Sequence, residues 1–344
     1  MKKITASLIL AAFILSLCAC DDYEEIPDYG EDESKNSEEE TDSSYDELFD
    51  LFGDDDSGAE ISYEDGYDNY DYVEPSDENY GYDYSLGSAK ELDGKIAVVS
   101  IFVNDKTTSW DFDDDNDRNI YNFVHQNLCI ATDYLEEVSN EYGHHPEFIH
   151  DWLQYPEIFH MFTLNIDYQT AWKDYALINN SFWQEIDTNI SESEIRQKTG
   201  ADQVLYMAFF NTPIPNEIPS CTRNYYYGMS YPYEICYMCM SFQNHITAPS
   251  TFAHEMLHAF GAPDLYSAEK YGITQEYVDY VGDIWLNDIM RICQDPETYE
   301  YLYDSIPNEI TDITTYYAGL TDYSETVEAW GFEKSEHLVG KQPA

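Results

Sequence analysis

The chain has 344 residues with 69 acidic against 15 basic side chains, a formal net charge of −54. Residues 21–93 carry 29 acidic and two basic side chains, and residues 94–344 carry 40 and 11, so both parts are strongly anionic. Such a field argues against nucleic acid and anionic membrane surfaces as partners, and it would steer cationic peptides or proteins inward.

At the N-terminus, Lys2 and Lys3 precede an apolar run from Leu8 to Leu17 that is too short to span a bilayer. It ends in Leu17-Cys18-Ala19-Cys20, which resembles a bacterial lipobox, so residues 1–20 are expected to be a lipoprotein signal peptide and Cys20 the lipidated first residue. A lipid there would anchor the protein to the outer face of the plasma membrane. Lipidation at Cys18 and a plain secretory signal with release are the alternatives. From Asp21 to Asp93 the chain is acidic and tyrosine-rich with little aliphatic content, the composition of a disordered tether. As a flexible coil its first 68 residues would span about 45 Å.

Residues 94–344 are enough for one domain with a substantial core, or for two lobes across a cleft near residue 262. Lys95 to Val103 holds the β-branched run of a buried strand. Ile120, Phe123, Val124, Leu128, Ala131, Leu135 and Val138 recur at helical spacing and predict a long helix over Asn116–Tyr142, with Gly143 beyond its end. A strand is expected around Ile158–Ile166, then an unassigned stretch rich in Trp and Asn. Ser191–Lys198 reads as a short helix before Gly200, and Gln203–Phe210 as an interior strand. This order of elements is that of an α/β fold, one sheet with helices on its faces. Tyr233–Phe242 reads as a further strand before the central motif, and Glu309–Leu320 as a C-terminal helix.

The central motif is His254-Glu255-Met256-Leu257-His258-Ala259-Phe260-Gly261-Ala262-Pro263-Asp264, of the form HExxHxxGxxD. Four residues make about 400° of helix, so His254 and His258 share a face and can meet one ion. Glu255 points beside that ion, where it can take a proton from a bound water. Pro249 with Ser250 or Thr247 supplies start signals, and Phe252, Met256, Leu257 and Phe260 form an apolar stripe that buries the helix. Gly261 suits a left-handed stop and Pro263 cannot continue the helix, so the chain turns and can carry Asp264 back to the metal. Three protein ligands leave a fourth zinc position for water and substrate.

The pattern resembles the metzincin clan of zinc endopeptidases, and Asp264 in place of the commoner third histidine resembles its snapalysin-like members. Gly261-Ala262-Pro263-Asp264-Leu265-Tyr266 is similar to the GLPDLY of secreted bacterial peptidases related to immune inhibitor A. Asn287-Asp288-Ile289-Met290 is similar to the clan's Met-turn, which implies that Met290 forms a hydrophobic floor beneath the metal. The resemblance implies an α+β zincin-like build: a mixed twisted sheet, a long backing helix, an active-site helix, and a smaller, mostly helical lower lobe over about 263–344. Near the motif an edge strand would pair with extended substrate. Ile292 stands where some members have an oxyanion-holding tyrosine, so that role has no candidate. Glu276, 18 residues beyond His258, is the competing third ligand of a gluzincin-type arrangement.

Cys129, Cys221, Cys236, Cys239 and Cys293 follow the signal segment. Cys236 and Cys239 make a CxxC without a second pair, which does not suggest a structural zinc, and Cys221 could bridge to one of them across a hairpin. His144, His145 and His245 read as loop or cap residues. Two functions are expected from these residues: a zinc-dependent endopeptidase outside the cell, or a surface binding lipoprotein on an inactive zincin fold.

Overall fold

The computed structural model describes residues 87–224, 233–268 and 270–340. The expected signal segment, Cys20 and nearly all of the expected tether lie outside them. The tether's described end is packed: Ser88 and Ala89 are fully buried and Leu92 almost so. The buried Glu234 carboxylate accepts from the Ser88 N–H at 3.0 Å and its hydroxyl at 3.3 Å. A Cβ on Gly87, at φ +84°, would come within 2.3 Å of that carboxylate, so glycine permits the close approach. The folded part therefore begins by Gly87 rather than at residue 94.

Strand β1, Gly94–Asn104, is buried from Ile96 to Val103, as its aliphatic run requires of a strand covered on both faces. Helix α1, Asp115–Glu141, starts under the Asp114 carboxylate, which accepts from the N–H groups of Asn116 and Asp117. Its Val124, Leu128, Ala131 and Leu135 are fully buried. Two short strands then succeed one another along β1, both parallel to it: β2, Pro146–Ile149, and, after a 3-10 turn, β3, Phe159–Thr163. The expected strand Ile158–Ile166 thus ends three residues early, and β2 was not anticipated.

Next come α2, Tyr168–Ala171, α3, Tyr175–Asn189, and α4, Glu192–Thr199. Helix α3 fills the stretch left unassigned and buries Ile178, Phe182 and Ile186, an i, i+4, i+8 stripe within a polar sequence. Helix α4 has Ser191 as its N-cap and Gly200 at φ +72° after it, as expected.

Strand β4, Gln203–Phe210, is buried at all eight positions. With β5, Cys221–Arg223, and β6, Ile235–Cys239, it completes a sheet of order β2-β1-β4-β6-β5. All its pairings are parallel except that of β5 with β6. The expected strand Tyr233–Phe242 breaks at Met240. Beyond it, β7, Ser241–Phe242, and β8, His245–Ile246, make a separate hairpin that Thr247 N–H closes on the Met240 carbonyl.

Helix α5, Pro249–Ala259, carries the motif, and α6, Gln275–Asp283, α7, Asp312–Tyr317, α8, Glu325–Trp330, and α9, Glu336–Val339, follow. Helix α7 is shorter than the expected Glu309–Leu320. Glu309 instead bonds through its backbone to Asn287 and Ile289, in strand-like pairing that a helix would break. One continuous core runs from the sheet through α5 to Tyr317 and Phe332. The fold is mixed α/β with a mostly parallel sheet. No helix among the described residues is long and apolar enough to cross a membrane.

Candidate metal centre

The sheet holds α5 firmly. Phe252, Ala253, Met256, Leu257 and Phe260 are all fully buried, and each of the four large ones contributes about 1.5–3 kcal/mol of burial. The helix start differs from expectation: Ala248 is the N-cap and makes no side-chain bond, with Pro249 following it. The Thr247 hydroxyl donates to the Cys239 carbonyl and the Ser250 hydroxyl to that of Cys293, so both side chains tie the helix to its neighbours instead of capping it. The stop is as expected. Gly261 takes φ +105°, and a Cβ there would lie 2.8 Å from the Tyr317 carbonyl oxygen, which excludes other residues.

That turn brings Asp264 to the two histidines. His254 Nε2 and His258 Nε2 are 3.0 Å apart, and Asp264 Oδ1 lies 3.3 Å and 3.1 Å from them. The tautomers follow from the opposite ring nitrogens. His254 Nδ1 faces the Ile289 carbonyl at 2.8 Å and His258 Nδ1 the Ala262 carbonyl at 2.7 Å. Carbonyls only accept, so both Nδ1 atoms carry hydrogen, and a neutral ring must then present a lone pair at Nε2. Two lone pairs and a carboxylate oxygen thus converge, and Asp264 Oδ1 is buried without a hydrogen-bond partner.

This donor set fits a positive ion. Burial works to raise the Asp264 pKa, but His258 and His254 beside it outweigh burial and hold the carboxyl well below the usual carboxylate range. Burial opposes charge on His254, but Cys293 and Asp264 outweigh it and raise that group, so a metal binding there would displace a proton from its Nε2. Two imidazoles and one carboxylate are ligands that zinc accepts, and bonds of about 2.0–2.1 Å at tetrahedral angles need ligand atoms about 3.3 Å apart. The three observed separations are close to this. The side chain of His254 is 6 % exposed and that of Asp264 24 %, so the group opens toward solvent on the Asp264 side.

Glu255 is buried beside the group but is not part of it. The Thr222 hydroxyl of β5 lies 2.8 Å from both its Oε2 and its backbone carbonyl oxygen and donates between them, and the Cys236 thiol of β6 donates to the same carbonyl at 3.3 Å. Asn224 Nδ2 donates to the His258 carbonyl. These contacts were not foreseen, since residues 222–224 are far from the motif in sequence and carry no pattern of their own.

Met290 is fully buried, in a turn that touches the site twice. The Ile289 carbonyl takes the His254 Nδ1 hydrogen, and that of Met290 takes the Leu265 N–H. Asp288 fastens this turn to the start of α7: one oxygen accepts from Met290 N–H, the other from Thr311 N–H and the Thr311 and Thr314 hydroxyls. The Tyr266 ring stacks parallel to that of His254 at 6.2 Å. Glu276, the competing ligand, is exposed in the first turn of α6 and outside the group.

His144 is half-buried and His145 exposed beyond α1, and His245 lies exposed in the β7–β8 hairpin. All five described cysteines are thiols. The bridge that Cys221 could make is not formed, because the register sets it opposite Tyr237 and sets Cys236 opposite Thr222. No family model matches the chain, and no curated protein is significantly similar to it.

Proposed function

We propose that this chain is a zinc-dependent endopeptidase of zincin-like build, cleaving internal bonds of peptides or proteins outside the cell, where a lipid on Cys20 retains it. The observation that carries this reading is the meeting of His254, His258 and Asp264 within 3.0–3.3 Å, with Glu255 beside them.

His254, His258 and Asp264 would hold the metal, which when bound supplies a Lewis acid that polarises the scissile carbonyl and acidifies a water. Glu255 receives the water's proton on its carboxylate and returns it to the leaving amine. The Thr222 hydroxyl, 2.8 Å from one carboxylate oxygen and from the Glu255 carbonyl, would help set how Glu255 presents its other oxygen. Among the described residues β5 ends the sheet, antiparallel to β6, and its outer edge suits an extended substrate bound through its main chain. The Ile289-Met290 turn buttresses His254 from behind, as the Met-turn does in the clan that the sequence resembles. The chain's net charge of −54 favours cationic substrates.

The test is incubation of the purified chain with a peptide library. Cleavage that a zinc chelator abolishes and added zinc restores is expected. A zinc-bound chain that cleaves nothing would leave the surface binding lipoprotein as the better reading.

A further inference from the structure

A second group of metal-ligating side chains lies on the other side of the sheet order. His125 and Cys129 are one turn apart on α1, and His150 directly follows β2. One ring nitrogen of each histidine and the Cys129 sulfur all lie within 4.8 Å of one another. His125 Nδ1 is already 3.9 Å from Cys129 Sγ, and the two imidazole centroids are 5.9 Å apart.

Two features distinguish this group from a chance meeting of polar residues. His125 Nε2 and His150 Nδ1 are buried with no hydrogen-bond partner, although buried imidazole nitrogens ordinarily find one. A neutral imidazole offers one ring lone pair to a metal. Trp152 packs edge-on against His125 at 5.0 Å and shields one side of the group.

We propose that His125, Cys129 and His150 form a second metal site, which binds one zinc ion through two imidazoles and a thiolate. That ligand set is soft to borderline, and it selects zinc, or cobalt as its substitute, over magnesium and calcium. Tetrahedral zinc with bonds of about 2.0–2.3 Å needs ligand atoms about 3.3–3.8 Å apart. At 3.9 Å the His125 Nδ1–Cys129 Sγ pair is close to this, and the group, whose ligand atoms lie within 4.8 Å of one another, would have to contract around the ion. The ion would pin α1 to the end of β2 and to the segment that leads into β3. It shares no residue with the HExxH group: His125 and Cys129 lie on α1, which packs against α5, and His150 follows β2 at the far end of the sheet order from β5. It is also independent of the proposed peptidase activity.

The test uses the full chain loaded with zinc and, separately, with cobalt. Wild type should bind two ions, and its cobalt form should show the near-ultraviolet thiolate-to-cobalt absorption, for which the His254-His258-Asp264 set has no sulfur. Cys129→Ser should lose one ion together with that absorption. His254→Ala with His258→Ala should lose the other ion and keep the absorption. His150→Gln is a second probe with the same expected result as Cys129→Ser, and it decides the matter should that variant not fold. The same metal content in wild type, Cys129→Ser and His150→Gln, with no cobalt–thiolate absorption, would overturn the proposal. One ion bound with the absorption present would support it and count instead against the HExxH group as a metal site.

Discussion

Thr222→Val removes a hydroxyl and little else. Valine keeps the shape and strand preference of threonine, so β5 should keep its register with β6. The hydrogen bond from Thr222 to Glu255 Oε2 at 2.8 Å is lost. Bonds to charged groups contribute about 1.5–3 kcal/mol, and if all of that serves to aim the carboxylate, kcat/KM should fall about tenfold to a hundredfold. The metal should be unaffected, because Thr222 touches none of His254, His258 and Asp264. Thr222→Ser, which restores the hydroxyl, should recover most of the loss. The assay is kcat/KM on a cleaved peptide, with zinc content measured on the same samples. Activity of Thr222→Val within twofold of wild type would refute the positioning argument, as would a serine variant no better than valine.

Other outcomes follow from the same geometry. Asp264→Ala should weaken zinc binding by more than about a hundredfold, since loss of an outer-shell partner alone costs ten- to a hundredfold; Glu276→Ala should leave it unchanged, and titration with a chromogenic chelator checks both. Cys20→Ser should release the protein into the medium, whereas mass spectrometry of the native N-terminus should find Cys20 acylated. His160 donates from Nε2 to the Glu157 carbonyl, and burial lowers its pKa below 6.5 against the pull of that bond. The unfolded chain therefore binds a proton that the native one resists, so this contribution is full above pH 6.5 and is lost as pH falls toward the folded value. His160→Gln, which can still donate to that carbonyl, should show a shallower drop in melting temperature over this window.

The sequence revealed most where local rules act alone. Gln203–Phe210 is a strand because seven apolar residues in a row, Val204–Phe210, leave few alternatives, and Ser191 and Gly200 bound a helix through capping that needs no partner. His254, His258 and Asp264 were legible together because helix geometry and the Gly261 turn, both local, determine where they meet. Helix α3 was missed because its stripe of Ile178, Phe182 and Ile186 lies among Asn, Gln and Trp, and only the sheet's demand for cover makes it count. Thr222 could not be read at all, since its role exists only once β5 pairs with β6 above α5. The same holds for His150, whose approach to His125 and Cys129 depends on β2 pairing with β1.

The central claim is that Glu255 acts as a base beside a metal that it does not hold. Glu255→Gln tests it most directly, with zinc content and peptide hydrolysis measured on the same preparation. Glutamine keeps the size of the side chain but cannot take the proton, so hydrolysis should fall about a hundredfold to ten-thousandfold while zinc bound at the HExxH group stays as in wild type. A variant that keeps most of its peptidase activity, or that loses its zinc, would contradict the account.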